Sequence, residues 1–164
     1  MRLFINCMIL TVLISACSSL EKKEVFPEVM PDDFSFILKY GFEARDILNT
    51  IDHTYTKNMV LDEDITIDLE LSNEEIEAIY MKIKEIDLLA SADKASDVSC
   101  VDPYERNEIT LTINGEVYER KWITSKCDKR ADDKLKEFTD FISYDIIRGK
   151  EEVKQLPATR GGYD

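Results

Sequence analysis

The chain has 164 residues, with 34 Asp and Glu against 21 Lys and Arg, a net charge of −13 with its single histidine neutral. Such a surface repels phosphate backbones and anionic headgroups, which argues against a nucleic-acid partner. One histidine and five glycines also leave little material for a histidine-based catalytic set or a phosphate-cradling loop.

Arg2 opens the chain, and Leu3 to Leu13 follow as a mostly apolar run interrupted by Asn6. The run is far shorter than the roughly 20 residues a spanning helix needs, so it reads as a secretory signal. Ile14-Ser15-Ala16-Cys17 then resembles the lipobox of bacterial lipoproteins. That resemblance implies a diacylglyceryl group on the Cys17 sulfur and cleavage before it. A plain secretory signal with a chance cysteine is the bland alternative. Two or three acyl chains, at about 0.8 kcal/mol per buried methylene, would hold the protein at a membrane where one would not. Loss of residues 1–16 leaves 148 residues with 20 basic and 34 acidic side chains, a net charge of −14. That length suffices for one domain with a core. The acidity serves solubility first, and a cationic partner is the sharper reading.

Residues 17–31 read as a tether, running from Ser18-Ser19 through Glu21-Lys22-Lys23-Glu24 to Pro27 and Pro31, because proline and charge keep a chain extended. The folded domain is expected over residues 32–149. Phe34, Phe36, Leu38 and Tyr40 alternate with Ser35, Ile37 and Lys39, a period-two strand ended by Gly41. Phe42 to Asn49 shows no clear cap and reads as a connection. Thr50 to Val60 returns to strand chemistry, with Ile51, His53 and Tyr55 on one face and β-branched threonines on the other. After the acidic turn Asp62-Glu63-Asp64, Ile65, Ile67, Leu69 and Leu71 alternate with Thr66, Asp68 and Glu70. The two segments lie close enough in sequence to pair as an antiparallel hairpin.

Ser72 and Glu75 form a capping box, and the helix after it aligns Ile76, Ile79, Tyr80, Ile83 and Ile86 in one stripe. Ala90 to Val98 reads as loop. Asn114-Gly115 is a strong hairpin signal, since both positions tolerate positive φ. It pairs Thr112 with Val117 and Leu111 with Tyr118, and so places Tyr118, Arg120 and Trp122 on the Leu111 side, beneath a helix. Asp132 is placed to cap a last helix whose stripe is Leu135, Phe138, Phe141, Ile142 and Ile146. Gly149 ends it, and residues 150–164 trail away. The order β-β-β-α-β-β-α predicts a two-layer α+β fold, an antiparallel sheet of about five strands with two helices on one face.

Of the four cysteines, Cys7 leaves with the signal and Cys17 takes the lipid. Cys100 lies 14 residues before Asn114 and Cys127 lies 12 after Gly115, so both fall near the open end of the hairpin. In an oxidising compartment this favours a structural disulfide worth about 3.5 kcal/mol by chain entropy. Two free thiols or a metal pair are the other readings, the latter weakened because His53 is in a distant segment.

No catalytic residue, metal site or cofactor is assigned. His53 reads as a packed or half-exposed strand residue. Asp62-Glu63-Asp64 lacks the spacing of a calcium loop, and Asp68 and Glu70 read as surface residues. Leu156-Pro157-Ala158-Thr159 approaches the sorting motif of cell-wall proteins, but Arg160 stands where that motif wants glycine. Taken whole, the chain resembles small bacterial lipoproteins through Pro31 to Phe36, Thr54 to Lys57, Val98 to Cys100 and Gly161 to Tyr163. This resemblance implies address and architecture only. The expectation is a membrane-anchored extracytoplasmic lipoprotein, a non-enzymatic binding or accessory domain whose partner is an envelope protein or glycan. An envelope hydrolase using carboxylates, or an inhibitor of a secreted enzyme, is the alternative.

Overall fold

Alternation decides how the strands face, and the computed structural model describes residues 26–94, 104–125 and 133–162. Strands β1 (Ser35–Tyr40), β2 (Asp46–Asn49), β3 (Thr54–Lys57) and β4 (Ile65–Asp68) form a meander. β5 (Tyr104–Ile113) and β6 (Glu116–Ser125) form a long hairpin. All pair antiparallel in one six-stranded sheet of order β4-β3-β2-β1-β5-β6. The register sets Phe36 against Leu111, Leu38 between Leu48 and Ile109, and Leu48 against Tyr55. Every one of these side chains is buried. The opposite face carries Lys39, Glu108 and Lys121, with Lys121 and Glu108 paired at 3.1 Å.

Helices cover the inner face. They are α1 (Asn73–Glu85), α2 (Leu88–Lys94), α3 (Asp133–Asp140), which continues as a π-helical segment (Phe141–Ile147), and the short α4 (Glu151–Lys154). Ile79, Tyr80 and Ile83 from α1, Leu88 from α2, Leu135 and Phe138 from α3, and Ile142 from the π segment join Phe36, Leu38 and Leu111 in one apolar cluster. The capping box forms as read: Ser72 N–H donates to Glu75 Oε2 at 2.7 Å, and Glu75 N–H donates to Ser72 Oγ at 3.3 Å. The hairpin register also matches, with Thr112 opposite Val117 and Leu111 opposite Tyr118. Asp33 clamps its turn, accepting from Asn114 N at 2.9 Å and Gly115 N at 2.5 Å. Arg120 lies under α2, its Nε donating to the Leu89 carbonyl at 3.1 Å.

The two-layer α+β architecture is therefore present, with three departures in detail. The sheet has six strands because β2 emerges from Phe42 to Asn49, a segment expected to be a connection. The strand expected over Thr50 to Val60 shortens to β3, because Thr50 to His53 turns. Asn49 Oδ1 accepts from Ile51 N at 2.9 Å and Asp52 N at 3.1 Å, and Thr50 Oγ1 is tied to the Phe36 backbone. Ile51 and His53 are consequently exposed. Helices number four rather than two among the described residues, since α2 occupies part of the expected loop and α4 part of the expected tail. Val153 and Leu156 pack against the core and Val60 bridges Arg160, so the C-terminal segment folds back. At the other end Phe26 is buried and meets the Tyr80 ring edge-on at 6.2 Å.

Phe138 sits fully buried between the layers. Phe138→Ala is expected to cost about 3–5 kcal/mol of unfolding free energy, from lost transfer energy plus the cavity left behind. Urea denaturation measures it, and a loss under about 1 kcal/mol would remove Phe138 from the core.

Candidate functional site

The inner face turns polar toward β2 and β3. Tyr40, the last residue of β1, stands opposite Asp46, the first of β2, and Tyr55 projects from β3 beside them. The β1–β2 connection is tight. Gly41 has φ of 80°, and Glu43 and Ala44 sit at 53° and 57°, where side chains are strained. Glycine suits position 41, where φ of 80° with ψ of −160° is a region side chains rarely adopt and a Cβ would also press on Asp46 Oδ2 at 3.0 Å.

Asp46 Oδ1 accepts from Asn58 N at 3.1 Å and from the Tyr55 hydroxyl at 3.3 Å. One residue on, Met59 N donates to Asp64 Oδ1 at 3.0 Å, and Arg45 forks onto Asp64 at 2.6 and 3.0 Å. Two neighbouring amides are thus held by two aspartates. Val60 follows with φ of 62°, its N–H donated to Asn58 Oδ1 at 2.9 Å. A β-branched residue in that region is a true outlier. Strain of this kind persists only where the surroundings impose it, and it collects at functional sites.

The environments drive the two aspartates apart. Burial pushes the Asp46 carboxyl above its ordinary range, against the opposing pull of the Asn58 amide and the Tyr55 hydroxyl. Burial also disfavours charge on Asp64, but the Arg45 fork and the Met59 amide outweigh it and hold that group low. Burial raises both tyrosines, with the Asp46 charge adding to the effect. Tyr40 neighbours Tyr55 and, on the π segment, Ser143, and both bear on the protonation of its hydroxyl.

These groups floor a pocket of about 360 Å³. Ser143, Ile147 and Arg148 form one wall, Lys57 and Asn58 another, and Val153 and Thr159 approach from the C-terminal segment. Lys57 Nζ donates to the Pro157 carbonyl at 2.7 Å, and the Arg148 guanidinium lies over the Tyr144 ring at 4.2 Å. The size falls within the range of small-molecule sites, which combine an apolar wall with a few convergent polar groups. Asp46 is the one carboxylate among the described lining residues. That is too few oxygens for a hard cation. The arrangement can instead bind hydroxyl groups, through a carboxylate acceptor, an amide and hydroxyls, with cations at the mouth.

Cys17, Cys100, Cys127 and Asp132 lie outside the described residues. His53 is in an exposed turn at φ of 53° and takes no part in the pocket. The acidic turn is divided between two arginines, Asp62 pairing with Arg160 and Asp64 with Arg45, while Glu63 is exposed. Asp68 and Glu70 are exposed as read. The residues that do gather, Tyr40, Asp46, Tyr55, Ser143 and Arg148, were not singled out by sequence. Part of the signal was there: alternation turns Tyr40 inward, and a buried tyrosine hydroxyl needs a partner. No known protein family matches the chain, and no curated protein or solved structure shows significant similarity to it.

The raised Asp46 carboxyl has a consequence for stability. Asp46 holds its proton more tightly folded than unfolded, so ionising it subtracts stability as pH climbs from the ordinary aspartate value of 3.8 through its own higher one. Asp46→Asn keeps an acceptor for Asn58 and Tyr55 but cannot ionise. The variant should therefore gain on the wild type across that window and level off above it. Denaturation at a series of pH values tests this, and a difference independent of pH would contradict burial as the cause.

Proposed function

We propose that this protein is a lipid-anchored extracytoplasmic binding domain that recognises a hydroxyl-rich ligand, such as an envelope glycan unit, in the Asp46 pocket. The observation that carries the reading is the half-buried Asp46 carboxylate at the floor of a concave site, ringed by Tyr55, Asn58 and Ser143 and bordered by Lys57 and Arg148. Carboxylate and amide groups accept and donate to vicinal hydroxyls, and the Tyr55 hydroxyl and Asn58 amide keep the acceptor aimed. The address rests on the lipobox-like Ile14 to Cys17, which lies outside the described residues.

A hydrolase is the competing reading, and the raised Asp46 carboxyl in a pocket is the observation in its favour. Glycoside hydrolysis takes two carboxylates across the scissile bond. The single carboxylate lining this pocket favours binding over turnover.

Two measurements bear on the proposal. Titration of envelope glycan fragments, followed by NMR, should perturb Tyr55, Asn58 and Ser143. Asp46→Ala should weaken binding about 10–100-fold, the range for losing hydrogen bonds to a charged group. Perturbations elsewhere, or binding indifferent to Asp46, would remove the site. Separately, Cys17→Ser should shift the protein from the membrane to the soluble fraction of cells. Unchanged fractionation would contradict lipid anchoring.

A further inference from the structure

A second concavity lies on the other side of the π segment. α1 and the α3–π helix run beside each other there and leave an open groove of about 690 Å³. Its floor is apolar, made by Ala78 and Met81 on α1 and by Phe141 and Tyr144 on the π segment. Met81 is 51% exposed and Tyr144 is 53% exposed, and both line this one groove, an exposed apolar patch of the kind that marks interaction sites. Glu85, Glu137, Asp140 and Asp145 edge the groove with Lys82, while Lys136 pairs with Asp140 and the Arg148 guanidinium lies over the Tyr144 ring at 4.2 Å. Lys82 is shared by Glu137 at 2.5 Å and Glu85 at 3.4 Å and Lys136 takes Asp140, so acid still exceeds base along the rim, with Asp145 outside both ion pairs.

Three features on this face converge on one kind of occupant. An acidic rim repels anionic lipid and nucleic acid and attracts ammonium and guanidinium groups. A floor with a flexible methionine and a tyrosine accepts apolar anchors of varied shape. A groove between two helices fits a third helix, whose anchors recur every three or four residues along one side. The π-helical geometry also matters. Such segments are rare and collect at functional sites, and this one turns Tyr144 and Asp145 outward to the groove while Ser143 and Arg148 face the Asp46 pocket.

We propose that this groove docks a cationic amphipathic helix of a partner protein, its apolar side on Met81, Phe141 and Tyr144 and its Lys or Arg residues on the acidic rim. The inference stands apart from ligand binding at Asp46 through Met81, which lines the groove and not that pocket, whereas Tyr144 touches Arg148 of the pocket wall.

The probe is a synthetic amphipathic Lys/Leu helix of about 14 residues, titrated into the purified protein by calorimetry, with hydrogen exchange mapping the contact. Binding should weaken between about 50 and 300 mM salt, and protection should appear at Met81 and over Phe141 to Asp145. Any strongly acidic protein attracts such a peptide, so substitutions decide the matter. Met81→Asp adds a negative charge yet removes the apolar floor, and it should cut affinity at least about tenfold. Tyr144→Ser should act alike. Val117→Asp, on the open face of the sheet where Val117 is 62% exposed, adds the same charge and should leave affinity intact. A peptide of equal charge with serine in place of leucine should not bind. Affinity unchanged or raised by Met81→Asp, or lowered equally by Val117→Asp, would overturn the proposal in favour of diffuse attraction. Protection mapping to the sheet would overturn it too.

Discussion

A tyrosine hydroxyl carried into the core draws other polar groups around it, and much of this structure follows from that need. The inward row of β1 runs Phe36, Leu38, Tyr40, two apolar side chains and then one with a polar tip. The first two need only be covered, and the helices cover them. Tyr40 needs more. Its hydroxyl lies beside Tyr55 and Ser143 in the pocket lining, Tyr55 donates to Asp46, and Asp46 takes the Asn58 amide. A run of polar groups thus leads from the core to the surface. The pocket sits where that run emerges, and the carboxylate at its end is charged in an environment that resists charge.

Strain is the counterpart of that arrangement. Positive φ at Glu43, Ala44 and Val60 falls on the two connections that flank Asp46, and each such residue costs on the order of 1 kcal/mol or more. Asp46 and Asp64 oppose that cost by holding the Asn58 and Met59 amides. The division of labour between them is electrostatic. Asp64 has Arg45 and is a fixed anion, a strut. Asp46 takes a hydroxyl and an amide instead, and keeps its affinity for a proton or a donor.

What sequence could reveal here was set by the length of each pattern. β1 alternates over six residues, α1 carries a capping box, and Asn114-Gly115 imposes its turn, and each of these forms as read. β2 spans four residues, Asp46 to Asn49, too few for period two to stand out, and it opens on an aspartate that disfavours strand. Its partner strand was overextended for a related reason. Thr50 and Ile51 have the right β-propensity, but Asn49 captures the Ile51 and Asp52 amides and turns the chain there. Misplacing β2 hid the site, because Asp46 meets Tyr40 only through the β1–β2 register. The groove was hidden differently. Met81 and Tyr144 lie 63 positions apart in the sequence, and nothing local announces that α1 and the π segment will lie together.

Geometry also bounds where a partner can be, given the lipid anchor proposed for Cys17. From Cys17 to Phe26 is nine residues, which reach at most about 30 Å fully extended. Phe26 is fastened to the domain by its contact with Tyr80, Tyr80 in turn donates to the Pro27 carbonyl at 2.6 Å, and Glu28 pairs with Lys84 at 2.8 Å. The chain therefore enters the domain along α1, the same helix that supplies Ala78 and Met81 to the groove. A domain so attached stays within about one bilayer thickness of the surface, with α1 at its point of attachment. A freely diffusing partner gains nothing from that confinement. One that is itself held at the same membrane meets the groove at a high effective concentration, so modest affinity suffices. An acidic groove near an anionic surface would also keep its distance from the headgroups. It would stand open to a basic helix rising from the bilayer rather than to the bilayer itself.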